Sequence, residues 1–248
     1  MNLFLIFLFF IFFNKSFSIN PSKINHDISF NNFQNNIILL NTSNFLSIKN
    51  TINTNTANDF IYNLNLIDNK NHIYIYIDSP GGSVEDGFKI MNEIFKYNIT
   101  CIADRAYSMA FAILQSCHTR YLLNFGKLMQ HQISFGIFNE KEKIQSYLNF
   151  VNQMEYELLL IQSQKIGISF EELKNKTLNE WWIFGNNALT ENCVDDIINI
   201  QCTTKLTSQT FKINDGYYEY TYSKCPIIPS YIDKKENNQN NKDLIYFI

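Results

Sequence analysis

From residue 36 onward, short apolar runs alternate with segments in which apolar residues return every three or four positions, the signature of strands separated by helices. Residues 37–40 (IILL) read as a buried parallel strand. A helix is expected over 56–66, with Ala57, Phe60, Ile61 and Leu64 on one face. Residues 73–77 (IYIYI) form a β-rich run that stops abruptly at Asp78-Ser79-Pro80-Gly81-Gly82. Val84, Phe88, Met91, Ile94 and Phe95 follow at helical spacing, then a strand over 99–103 and a helix over 108–116. Residues 120–123 and 127–130 read as two further strands, the second running into His131.

The longest helical pattern spans 140–165, where Ile144, Leu148, Val151, Met154, Leu158 and Ile161 make a stripe. Tyr147, Leu159 and Leu160 widen that stripe beyond what one core face needs, which suits packing against another subunit. A short helix over 170–174 and a last strand over 193–198 bring the core to a close near Ile200. Strands alternating with helices argue for an α/β layered domain. Beyond it, residues 210–213, a turn at Asn214-Asp215-Gly216 and residues 217–222 read as a β-hairpin. Residues 233–243 are charged and asparagine-rich, and are expected to be disordered.

Composition narrows the picture. A chain of 248 residues, 46% of them hydrophobic, suits one good core with extensions. A net charge of -3, with arginine only at Arg105 and Arg120, leaves no basic stripe for nucleic acid. Ahead of the domain, residues 3–13 are unbroken apolar sequence, short for a bilayer span, with small residues at Ser16 and Ser18 beyond them. This reads as a signal-peptide-like leader over 1–18 and a polar arm over 19–34, so entry into the secretory route is expected, with an uncleaved anchor as the alternative. Of five cysteines, Cys101, Cys117 and Cys193 are expected as buried thiols, while Cys202 and Cys225 flank the hairpin and suit pairing in an oxidising compartment. No pair has zinc-site spacing, and no structural metal is expected.

The chemistry lies in four separated pieces. Ser108 sits where a strand turns into a helix, and the amide of Met109 in the first helical turn has no intrahelical acceptor. His131 ends an apolar strand and is a candidate general base. Of the other histidines, His118, in the loop after the Ser108 helix, is the fallback, and His26 and His72 lie in polar stretches. Gly81 and Gly82 offer backbone that can turn sharply or approach a ligand. Alone, a serine at this junction is an N-cap and Pro-Gly-Gly an ordinary turn. In this order, with Glu180 downstream as an acid, they compose an acyl-transfer site.

The segments YIYIDSPGGS (74–83), AYSMA (106–110), MQHQ (129–132) and Val194-Asp195 resemble the proteolytic subunit of the Clp protease, over roughly residues 37–200. The resemblance implies a crotonase-like α/β fold of layered βα repeats with a long protruding helix over a domain at 35–200, followed by a C-terminal extension at 201–248. It implies stacked heptameric rings enclosing a chamber, fed with unfolded polypeptide by a hexameric AAA+ ATPase partner that alone uses ATP, with no cofactor in the peptidase itself. It assigns the nucleophile to Ser108, the base to His131, the orienting acid to Glu180 where the family has aspartate, and the oxyanion amides to Gly82 and Met109. Asp195 matches a different, structural position. Tyr107, Ala110 and Ile133 replace the family's usual alanine, glycine and proline, and Tyr107 beside the nucleophile is expected to narrow substrate access. The leader keeps a second enzyme reading open, an ATP-independent lumenal or membrane peptidase. Glu180 keeps open a third, a catalytically degenerate scaffold subunit.

Overall fold

The structure is a computed structural model that describes residues 36–70 and 72–237. The leader at 1–18, the arm at 19–34 and the end of the C-terminal tail lie outside the described residues. Among the described residues seven strands form one sheet: β1 (Ile37–Leu40), β2 (Phe45–Lys49), β3 (Tyr74–Ser79), β4 (Thr100–Tyr107), β5 (Thr119–Gln130), β6 (Trp181–Phe184) and β7 (Asp196–Cys202). Their order is β1-β7-β5-β4-β3-β2, with all neighbours on this path parallel. β6 pairs antiparallel with the far end of β5. Parallel neighbours need crossovers, and α1 (Thr54–Asn65), α2 (Val84–Ile94) and α3 (Met109–Ser116) supply three of them. α4 (Lys141–Ile166) and α5 (Phe170–Thr177) link β5 to β6, and α6 (Asn187–Thr190) leads to β7.

The IYIYI run shows how a period of two divides the core. Ile73, Ile75 and Ile77 are wholly buried in the main cluster with α1 to α4, whereas Tyr74 packs in a smaller cluster with Leu40, Ile102, Ile198 and Leu206. α3 lies in the middle of the main cluster with all eight of its residues buried, which a helix of Ala, Phe, Ile and Leu on every side requires. The apolar run at β1 differs from expectation. Among the described residues β1 pairs on one side only, with β7, and leaves Ile37 54% and Leu39 52% exposed, so it is an edge strand there and not a doubly covered one.

The two strands expected at 120–123 and 127–130 are one continuous β5. Its first part pairs with β7 through Tyr121–Leu123 and its last part with β6 through Lys127–Gln130, while β4 runs beside both. The intervening Asn124-Phe125-Gly126 resembles a turn in sequence but acts as an irregularity between two ladders. β4 shows a register shift between Ala103 and Arg105 opposite it. β2 (FLSIK), a strand absent from the sequence expectations, is held by β3.

Two disulfides are present. Cys202–Cys225 accords with the expected pairing and ties the end of β7 to the segment after the hairpin. Cys101–Cys117 corrects the reading of both as free thiols: the start of β4 and the end of α3 lie close enough to bridge, a juxtaposition that sequence spacing does not reveal. Cys193 is the free, buried cysteine, and burial pushes its thiol up to about 12. Beyond β7, α7 (Thr204–Ser208) precedes a separate sheet of β8 (Thr210–Asn214), β9 (Tyr218–Ser223) and β10 (Asp233–Glu236). The hairpin is as expected, whereas residues 233–236, expected to be disordered, pair antiparallel with β9. The aromatic stripe of Tyr218, Tyr220 and Tyr222 explains this, since Lys234 lies 3.6 Å from the Tyr218 ring centroid and offsets the low hydrophobicity of β10.

Candidate active site

β3 ends in a turn built around buried Ser79. Its hydroxyl donates to the Asn50 carbonyl and accepts from the Gly81 amide at 3.1 Å. Gly81 has φ +92° and its backbone is pressed against the next crossover: a Cβ there would lie 2.6 Å from the Tyr107 carbonyl and 2.8 Å from the Ser108 Cβ. Gly82 has φ +148°, and a Cβ on it would meet the Ile52 carbonyl at 2.2 Å. Glycine at both positions is therefore a steric requirement. Gly82 forms an isolated bridge with Ile52 in which Ile52 donates to Gly81 O and Ser83 donates to Ile52 O. That bridge uses the groups on either side of the Gly82 amide and leaves the amide itself outward.

Ser108 joins β4 to α3 in a conformation that non-glycine residues rarely adopt, φ 54° and ψ -121°. Its amide donates to the Met129 carbonyl of β5 at 2.8 Å, its carbonyl accepts from Phe111 and Ala112, and its side chain makes no capping bond. The ordinary N-cap role is thus not the one this serine performs. The backbone of the turn is thus held by β5 and by α3. Gly87 of α2 fixes the next residue, since a Cβ there would lie 2.4 Å from the Met109 side chain. Met109 opens α3, so its amide has no acceptor one turn earlier.

A cleft of about 500 Å³, open solvent included, is lined by Gly82, Ser108, Met109 and His131 together. Its far wall is α4, through Glu155, Leu158, Leu159 and Gln162. The His131 backbone is positioned by Gln130, whose side-chain oxygen accepts from the His131 amide at 3.0 Å and whose side-chain amide donates to Gln162. The Gln132 amide donates to Thr177 O, and the Ile133 amide donates to Glu155 Oε1, each at 3.0 Å. The segment after β5 is thereby fastened to α4 and α5.

Glu180 is placed differently. Gln130 pairs with Trp181 in the antiparallel β5–β6 ladder, so Glu180 lies one step beyond the ladder on the side of His131. Its side chain is exposed and its Oε2 accepts from the Trp182 indole N–H at 2.8 Å; it does not line the cleft. Asp195 is committed elsewhere. It receives two bonds from the guanidinium and one from the backbone amide of Arg120, itself only 2% exposed. Burial works to raise the Asp195 carboxyl, but the bonds from Arg120 outweigh it and hold the group below the usual carboxylate range. His118 is exposed at the other end of α3, its backbone engaged with Ile99 and Lys165. His72 is exposed before β3, and His26 lies outside the described residues. Tyr107, expected to narrow access, packs edge-on against Trp182 at 5.1 Å and is not part of the cleft lining.

Glu155 was not singled out in sequence, although a signal existed. At positions 155, 158, 159 and 162 it shares one face of α4 with buried residues, and a carboxylate on such a face invites a question. Among the described residues no group of three His, Cys, Asp or Glu side chains is disposed to hold a metal ion, and no helix is long and apolar enough to cross a membrane.

The chain is similar to known proteins over the residues that carry this site. A family-wide profile described as Clp protease matches residues 30–201. Similar curated proteins include ATP-dependent Clp protease proteolytic subunit 2 of Borreliella burgdorferi, 26% identical over 142 residues, covering 54% of this chain and 71% of the relative. The protein of the same name from Tropheryma whipplei is 30% identical over 139 residues, covering 54% of this chain and 77% of its own. The ATP-dependent Clp protease proteolytic subunit of Borrelia garinii subsp. bavariensis is 28% identical over 136 residues, covering 53% and 70%. The profile takes in the turn of Gly81 and Gly82, the Ser108 junction and the His131 segment alike, and the chain therefore belongs to the Clp protease family.

Proposed function

We propose that the protein is a serine endopeptidase of the Clp type. Ser108 Oγ attacks a peptide carbonyl while His131 takes its proton. The oxyanion receives bonds from the amides of Gly82 and Met109. Collapse of the tetrahedral species breaks the C–N bond, and the departing amine leaves with the proton from His131. Water, deprotonated by His131, then attacks the acyl-serine and regenerates Ser108. Glu180 is the orienting acid in this reading: its backbone continues the ladder toward His131, and rotation of its side chain away from Trp182 brings a carboxylate to the imidazole. One observation carries the proposal. A serine in a strained positive-φ conformation, with no capping role, fronts the same cleft as His131, Gly82 and Met109.

The same reading supplies the wider setting. The domain takes the crotonase-like arrangement with α4 as its protruding helix, and chains assemble into heptameric rings around a chamber. Unfolded polypeptide is the substrate, delivered by an AAA+ ATPase that alone consumes ATP. The leader at 1–18 directs the chain into the secretory route. A second reading, an ATP-independent lumenal peptidase, gains weight from the disulfides Cys101–Cys117 and Cys202–Cys225, because such bonds persist in oxidising compartments where an unfoldase and ATP are not assured.

Labelling with a fluorophosphonate probe tests the chemistry. The wild-type chain is expected to label and Ser108→Ala to lose the label. Ser108→Ala and His131→Ala are each expected to lower peptide cleavage by more than about a thousandfold, without additivity in the double variant. Cleavage by Ser108→Ala at the wild-type rate refutes the assignment, and absence of labelling in the wild type favours a scaffold.

A further inference from the structure

Among the described residues, the cleft is lined by one ionisable side chain besides His131, that of Glu155. The remaining polar side chains there are largely committed. Gln130 and Gln162 bond to each other and to the backbone of His131 and Leu158, and Gln132 donates outward to the Leu178 carbonyl. Glu155 Oε1 accepts from the Ile133 amide, and among the described residues no lysine or arginine lies within ion-pair distance of this carboxylate. Around it stand Ile133, Leu158 and Leu159, apolar walls that accept the methylene stem of a long side chain. A partly buried carboxylate with one oxygen unclaimed among the described residues, beside the apolar side chains of Ile133, Leu158 and Leu159, selects a cation.

We propose that Glu155 makes this site prefer a lysine or arginine as the residue whose carbonyl is attacked. The inference rests on the serine peptidase reading. The scissile carbonyl is held by the amides of Gly82 and Met109, so the side chain able to enter the adjoining cleft is that of the residue bearing this carbonyl. The substrate's stem lies along Leu158 and Leu159 and its charged head meets Glu155. In a cleft partly screened from water such a pair is worth more than on an open surface.

Fluorogenic peptides that differ only in lysine or leucine at this residue give the test, scored as the ratio of their kcat/KM values. Lysine is expected to be preferred by the wild-type chain. Glu155→Gln is expected to reduce that ratio by about tenfold or more, chiefly through KM, with Glu155→Asp keeping part of the preference. A purely structural role, anchoring the Ile133 amide, lowers both substrates together and leaves the ratio unmoved; that result overturns the proposal. Fluorophosphonate labelling of the wild type separates failure of this inference from failure of the peptidase reading. Binding of the same two peptides to Ser108→Ala, with and without Glu155→Gln, decides the pocket's preference without any turnover. Equal affinity for both peptides there also refutes it.

Discussion

Ser108 and Gly81 share one strained corner, and each depends on the other. The Gly81 α-carbon faces the Tyr107 carbonyl and the Ser108 Cβ so closely that any side chain must push Ser108 aside. Gly81→Ala is therefore expected to cut turnover by about a hundredfold or more, the usual consequence of displacing a reacting group by about 1 Å. Counting fluorophosphonate-reactive sites beside a circular dichroism spectrum checks this; a folded variant labelled at the wild-type rate sinks it. The same reasoning applies to Glu180, whose carboxylate accepts from the Trp182 indole. Glu180→Gln is expected to lower turnover severalfold or more, whereas Trp182→Phe, which frees the carboxylate, is expected to preserve or raise it. Wild-type turnover in Glu180→Gln assigns the orienting role to another group.

At the scale of elements, the Arg120–Asp195 pair binds three segments. Arg120 at the start of β5 donates to Gln115 near the end of α3, to the Asn192 carbonyl after α6, and to Asp195 before β7. Removing Asp195 strands a buried guanidinium, which typically costs about 3–5 kcal/mol. Asp195→Ala is expected to lower Tm by roughly 6–20 °C, measured by calorimetry. A fall below about 2 °C shows that Arg120 finds another anion. The pH dependence follows from the lowered carboxyl of Asp195. An acid held below its unfolded value contributes its full stability above that value and loses it as pH falls through the folded one. The difference in Tm between wild type and Asp195→Ala is thus expected to shrink on acidification below the usual aspartate range and to stay constant at neutral pH.

For the whole molecule, the question is what covers α4. Leu159, expected to be buried only between subunits, is already 7% exposed in the single chain, because it packs into the main core and the cleft wall. The excess lies further toward the helix start. Tyr147, Phe150 and Tyr156 remain 39%, 43% and 53% exposed, joined by Phe135 at 44%, which packs edge-on against Tyr147. A contiguous aromatic surface of this kind marks an interaction site. Sedimentation of the chain without residues 1–18 at micromolar concentration is expected to find a species several times the single chain, and Phe150→Glu with Tyr156→Glu to reduce it. A stable monomer in the wild type excludes the ring assembly.

Local pattern alone reaches most of the elements here. The IYIYI alternation, the helical spacing after Ser83 and the Asn214-Asp215-Gly216 turn each specify their structure within a few residues, because strand period, helix period and turn stereochemistry are local properties. The positions of Ser108, His131, Gly82 and Met109 were legible for the same reason, as each ends or begins such an element. Contacts between elements were not. β2 forms because β3 offers it an edge, Cys101 meets Cys117 because α3 folds back beside β4, and β10 is recruited by the tyrosines of β9. Glu155 reaches the cleft from a helix distant in sequence, and Glu180 turns toward Trp182. These choices depend on which surfaces meet across the sheet, a matter of packing geometry that tertiary structure decides.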